Sequence, residues 1–394
     1  MHDSHTIFRK TADDKRQITV HLLNKGATIA DISLNGFGVH SQSNVVLSYP
    51  SPAEFDSDPY YLGATVGPVA NRLKDGCFGP LDRNQAIEIN EPARSNVLHG
   101  GSHGLHQQTF QASPTRADNA VVFSLALPHL ADGFPGDRLI TVRYELLDDL
   151  SLQFDFAAST DRKTVMNLAN HAYFNLGGPL SEHELTVNSG HYTPVNKQLI
   201  PTGEIAPLKG SALDYSDWKA LGDNALDHNF VSPEGGKLRR AASLRLRGTQ
   251  LQLDVLSTQP ALQVYTGDGL NTPFEPRSGM CLEAQGFPDA PNQPNFPSIT
   301  LEPGTIYRQR TIYHFSEIAP PYRSRRTRPR SVLRLCSRHQ ANKRHKPVSQ
   351  VDRQCNVVRV SVAHPNHIHC EHGDDTKKRK VKDDIIVKRL VVLS

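Results

Sequence analysis

No run of 18 apolar residues occurs anywhere in this 394-residue chain, which argues against a membrane-spanning helix. The opening stretch Met1-His2-Asp3-Ser4-His5-Thr6 lacks the basic and then apolar blocks of a secretory leader, so a cytoplasmic protein is expected. Cysteine is scarce and odd in number. The five residues, at positions 77, 281, 336, 355 and 370, do not resemble a disulfide framework, in keeping with a reducing compartment. There is no glycine-rich phosphate loop and no fixed-period repeat. Helical patterning is thin as well, with Tyr215 to Leu221 the best short window.

What is present divides into two polymers. The chain is 37% hydrophobic and 21% charged, enough for one large all-β domain or two ordinary ones. From Pro321 to Ser394 there are 19 Lys and Arg against 6 Asp and Glu, leaving 25 basic against 34 acidic residues for the rest. The mildly acidic body does not suggest a nucleic-acid-binding face. Residues 319–394 are expected to be a solvated, poorly ordered basic tail. Two other readings of the tail stay open: an arm for nucleic acid or anionic surfaces, which lacks interleaved aromatics for base stacking, and a non-native extension such as a reading-frame change. His364, His367, His369, Cys370 and His372 could ligate a soft or borderline metal, but their spacing fits no closed zinc pattern and an accidental cluster is the simpler reading.

The body, residues 1–318, reads as strands between turns. Leu152, Phe154 and Phe156 alternate with Gln153 and Asp155, and Leu251, Leu253 and Val255 alternate with Gln252 and Asp254. Asp132 to Asp137, Asn175 to Pro179 and Gly267 to Gly269 supply the turn chemistry. An all-β, large antiparallel β-sandwich is the economical architecture.

Within it, Asn170-His171-Ala172-Tyr173-Phe174-Asn175-Leu176 sets a histidine among aromatic and amide side chains. An imidazole titrates near neutral pH, aromatics offer an apolar platform and amides offer fixed hydrogen bonds, a combination suited to a polyhydroxylated ligand. Other segments join it in order: Gly63-Ala64-Thr65-Val66-Gly67, Ala70-Asn71-Arg72-Leu73, Asn96-Val97-Leu98-His99-Gly100-Gly101, Asp227-His228-Asn229-Phe230, Gln263-Val264-Tyr265-Thr266-Gly267 and Leu282-Glu283-Ala284-Gln285-Gly286-Phe287-Pro288-Asp289-Ala290. Taken together, this ordered set resembles the aldose 1-epimerases, or galactose mutarotases, from Gly63 through Tyr313-His314-Phe315.

The resemblance implies a β-sandwich that holds a free hexose in an open cleft, with no metal and no cofactor, and interconverts its α and β anomers. That reaction needs one basic and one acidic group around a single ring carbon. By resemblance Glu283 is the general base, expected to be ionised, and His171 is the general acid. His171 would need a nearby carboxylate or a hydrogen bond to its charged form to stay protonated, and Asp227 is a candidate supplier of that negative field. His99 would face the ring oxygen and share or support the acid role. Asn71, Arg72, Asp227, Gln263 and Tyr173 complete the sugar-contacting set. Taken singly, each residue has a bland reading: Glu283 as the exposed face of a strand, His99 as a solvated loop histidine, His171 as a core histidine, Arg72 as a surface cation. Their joint occurrence is the signal.

Three positions depart from the family pattern: Ala169 stands where threonine is usual, Pro68 where arginine often precedes Ala-Asn-Arg, and Phe110 where tryptophan is common. None removes a proton-transfer group. A hexose-6-phosphate epimerase would call for several cations at the cleft, whereas Arg72 is the only one in the landmark runs. A glycosidase pairing Asp227 with Glu283 leaves both histidines without a task. A catalytically silent sugar-binding sandwich has no need of the acid and base together.

Overall fold

The computed structural model describes residues 3–38, 43–78, 87–115, 118–232 and 235–318. The basic tail and its His364 to His372 cluster lie outside the described residues.

The described residues form strands and four short 3-10 turns, with no α-helix among them. None of their helices is long and apolar enough to cross a membrane. Strict alternation drives the long strands: Leu251–Ser257 buries every second residue, as does Arg138–Leu146 over most of its length. These strands belong to a nine-stranded antiparallel sheet that runs from Lys219–Ala220 at one edge to Gln111–Pro114 at the other, with Tyr307–Glu317 and Leu152–Thr160 in its middle. A four-stranded antiparallel sheet is built from the first 44 residues.

A six-stranded antiparallel sheet carries the chemistry. Its order is Tyr173–Phe174, Met280–Gln285, Ala261–Tyr265, Asp227–Val231, His191–Thr193 and Ala206–Pro207. Met280–Gln285 is buried at every position because both of its faces are covered. Met280, Leu282 and Ala284 join the main core, with Leu262, Val264 and Phe230 from the neighbouring strands. The period of two then turns Cys281, Glu283 and Gln285 to the opposite face. The two large sheets meet through Phe174 edge-on to Tyr313, centroids 4.9 Å apart, and through Gln309 Nε2, which donates to the Ala284 carbonyl at 2.9 Å.

The window Tyr215 to Leu221 is not a helix. It runs through bends into the edge strand Lys219–Ala220, with Tyr215 and Leu221 buried in the core and Trp218 stacked against the Arg245 guanidinium, so edge packing overrides a weak local preference. Of the three departures from the family pattern, Phe110 and Ala169 are buried in apolar clusters, and Pro68 follows a cis peptide bond.

Candidate active site

The register of the six-stranded sheet explains why residues remote in sequence converge. Tyr173 pairs with Cys281, and His171, two residues earlier and held through its backbone by Gly63 and Ala64, brings its ring to Glu283. Their facing atoms, His171 Nε2 and Glu283 Oε1, are 3.7 Å apart. The same line continues across the sheet, because Glu283 pairs with Gln263, Gln263 with Asn229, and Asn229 with Thr193. Imidazole, carboxylate, two amides and a hydroxyl therefore form one row across the sheet.

His99 arrives from a separate small hairpin, Arg72–Lys74 paired with Asn96–Leu98. At its mouth Asn71 (φ +62°) and His99 (φ +52°) both adopt left-handed backbone, a conformation worth about 1–3 kcal/mol of strain that a non-glycine residue keeps only when its surroundings fix it. Here the two residues fix each other: His99 N–H donates to the Asn71 carbonyl at 3.0 Å, and Asn71 N–H donates to His99 Nδ1 at 3.2 Å. The second bond occupies the Nδ1 lone pair, so the neutral ring carries its proton on Nε2. The rings of His99 and His171 lie perpendicular with centroids 5.0 Å apart. Tyr61, also left-handed at φ +61°, packs 4.7 Å from both His99 and His106 and 5.7 Å from His171.

Arg72 is held by a two-pronged bond to Glu91, with Nε to Oε2 at 2.8 Å and Nη2 to Oε1 at 3.0 Å, while its Nη1 lies 3.9 Å from Asp227 Oδ2. Asp227 in turn accepts from Gln263 Nε2 at 2.6 Å. Asn71 Oδ1 accepts from the Arg72 backbone N–H, which leaves Nδ2 as its side-chain donor. Behind His171, the Cys281 thiol lies 3.5 Å from Nδ1.

Burial sets the electrostatics. It pushes the Glu283 carboxyl well above the usual carboxylate range, with Asp227 adding to the rise and Arg72 opposing it. Burial lowers His171 to about 4 and takes His99 well below 6.5, the latter aided by His171, Arg72 and His106. Two expectations are corrected here. The carboxylate beside His171 is Glu283, whereas Asp227 is engaged by Arg72 and Gln263. In the sugar-free site, desolvation favours the neutral acid on Glu283 and the neutral ring on His171 rather than the charged pair. Both assignments place one exchangeable proton on the pair.

Donor atoms of His99, His171 and Glu283 all lie within 4.8 Å of one another, the reach of a metal-binding trio. The His99 tautomer speaks against that use. With Nδ1 accepting from Asn71, Nε2 bears a hydrogen and points a donor, not a lone pair, into the site.

The structure brings His99, His171 and Glu283 together, with Asn71, Arg72, Asp227 and Gln263 beside them. Tyr173 sits at the rear, 5.1 Å from the His171 ring and packed against Tyr265. Sequence reasoning missed Tyr61, Glu91, Cys281 and the Asn229 to Thr193 end of the row. Only Asn229 and Cys281 carried a signal, as neighbours of a motif residue at strand spacing.

A histidine and a carboxylate 3.7 Å apart, flanked by amides and a guanidinium in a β-sandwich, are groups suited to acid–base chemistry on a polyhydroxylated ligand. Comparison with known proteins narrows the class. The family model for aldose 1-epimerase matches residues 10–314. The galactose mutarotase of Sus scrofa is 34% identical over 319 residues, covering 76% of this chain and 92% of that protein. The aldose 1-epimerase of Escherichia coli K12 is 30% identical over 324 residues, covering 76% and 92%. Among solved structures, a GalM/aldose epimerase homologue from C. elegans superposes with a TM-score of 0.73 at 26% identity, covering 80% of this chain and all of the other. The chain belongs to the aldose 1-epimerase family, and is an isomerase acting on sugar anomers.

Proposed function

We propose that this chain interconverts the α and β anomers of free hexoses, galactose and glucose first, with Glu283 and His171 as the proton-transfer pair and His99 as a neutral hydrogen-bond donor to the ring oxygen. The observation that carries this reading is the 3.7 Å approach of His171 Nε2 to Glu283 Oε1. With the pair's proton shifted from Glu283 to His171, opening the hemiacetal moves a proton from O1 to Glu283 and one from His171 to the ring oxygen O5, and the C1–O5 bond breaks to leave an aldehyde. The pair has then passed from carboxylate and imidazolium to carboxylic acid and neutral imidazole, the state that burial favours in the sugar-free site. After rotation about C1–C2, reclosure returns both protons by the reverse route, and one exchangeable proton on the pair serves both halves of the turnover.

Binding follows from the remaining groups. Arg72, Asp227, Gln263 and Asn71 offer the donors and acceptors that sugar hydroxyls require, and Tyr61 offers a ring face. A 6-phosphate is disfavoured because the Arg72 charge is already matched by Glu91 and Asp227. The test is polarimetry of α-D-galactose, α-D-glucose and a 6-phosphosugar. Turnover of the phosphosugar alone would defeat the free-hexose reading, and binding without acceleration would defeat the enzymatic one.

A further inference from the structure

The polar row extends past the acid–base pair, through Gln263 and Asn229 to Thr193, and Asn229 lies two strand spacings, about 10 Å, from Glu283. A cavity of about 10 Å³ opens at that end, with Arg72, Thr193, Asp227, Asn229 and Gln263 in its walls. This volume suits one water.

Two of these residues, Asn229 and Gln263, each carry a buried side-chain oxygen, Oδ1 and Oε1, with no hydrogen-bond partner. The opposite ends of both amides are committed. Asn229 Nδ2 donates to Thr193 Oγ1 at 3.1 Å, and Gln263 Nε2 donates to Asp227 Oδ1 at 2.6 Å. Turning the Gln263 amide over would set its oxygen against a carboxylate, so the free acceptor stays where it is. Leaving two buried acceptors unmet costs about 1–3 kcal/mol each. One guest that satisfies both must donate twice. A sugar hydroxyl has a single O–H, whereas a water has two and keeps its lone pairs for a further donor.

We propose that Asn229 and Gln263 hold one ordered water in this cavity, and that this water receives a hexose hydroxyl remote from C1, making Asn229 a positioning residue for substrate recognition. The second half rests on the hexose reading above; the water itself does not, since its two acceptors are present without sugar.

The experiment has two arms. Crystal structures without sugar and with galactose should both show a water oxygen within about 3 Å of Asn229 Oδ1 and Gln263 Oε1. A cavity without water in the sugar-free crystal, or a sugar oxygen occupying it in the complex, overturns the proposal. In kinetics, Asn229→Leu should raise KM for galactose about three- to tenfold with kcat within about twofold. The effect should vanish for one deoxygalactose among those lacking the 3-, 4- or 6-hydroxyl. An unchanged KM, or an equal loss on every deoxy sugar, overturns it. If Asn229→Leu melts early, Thr193→Val, close to isosteric, frees the Asn229 amide and should reproduce the same KM pattern. A wild type that fails to accelerate galactose mutarotation would sink the function while the sugar-free crystal still judges the water.

Discussion

Glu283 is a carboxylate kept where charge is costly, 2% exposed and with Oε2 lacking any hydrogen-bond partner. Substitution by glutamine removes the ionisable group and preserves the shape. Glu283→Gln is expected to lower kcat by about a hundred- to ten-thousandfold while leaving the melting temperature unchanged or a few degrees higher. A marked fall in melting temperature together with activity would mean that the carboxylate is structural. The histidines leave a different mark. Burial holds His99, His106 and His171 neutral in the fold, the last two at about 4, whereas an unfolded imidazole titrates near 6.5. Between pH 6.5 and about 4 these histidines bind more protons in the unfolded chain than in the native one, so their contribution to stability rises with pH across that window and is lost on acidification, while the raised carboxyls of Glu283, Asp58 and Asp289 act in the opposite sense. The His106 share is read from the difference between wild type and His106→Phe: the urea midpoint of the wild type should lose more, relative to the variant, as pH falls from 6.5 to about 4, and a constant difference would refute the neutral-histidine account.

The elements that aim these side chains depend on a few contacts remote from the chemistry. Gly63 donates its N–H to the His171 carbonyl at 3.1 Å, and its own carbonyl accepts from Ile29 N–H and Asn170 Nδ2. Its φ is +64°, and a Cβ there would stand 1.9 Å from the Ile29 carbonyl oxygen. Gly63→Ala should therefore cost more than about 2 kcal/mol and misplace His171, seen as a lower denaturation midpoint together with reduced kcat. In the loop before Arg138–Leu146, Asp132 and Arg138 form a fully buried two-pronged ion pair, with Nη2 to Oδ1 at 2.6 Å and Nη1 to Oδ2 at 3.0 Å. Asp132→Ala strands the guanidinium without its partner and should destabilise the fold by about 3–5 kcal/mol, measurable by urea titration. A loss below 1 kcal/mol, an order-of-magnitude bound for an exposed pair, would show that water reaches the site.

Across the whole molecule, legibility tracked how locally each feature is determined. The alternations at 152–156 and 251–255 marked the central strands because one face of each is buried throughout. Two-residue strands such as Thr65–Val66 and Ala169–Asn170 have no period to read, and the apparent helix at Tyr215 to Leu221 was decided by edge packing. The site residues carried by motifs were legible. Glu91, Tyr61 and Thr193 were not, since their places depend on pairing partners 19 to 38 residues away or more in the folded chain, as with Arg72 to Glu91 and Tyr61 to His99. The basic segment beyond Ile318 lies outside the match to the family, which ends at 314. A chain ending at Ile318 is expected to keep kcat/KM for galactose within about twofold. A larger loss would tie the basic segment to the chemistry.

The central claim is that Glu283 and His171 act together on one hemiacetal, and polarimetry of freshly dissolved α-D-galactose tests it most directly. The wild type should outrun the spontaneous drift, and Glu283→Gln and His171→Ala should each return the trace to that drift while retaining native melting curves. Acceleration that survives both substitutions would contradict the account.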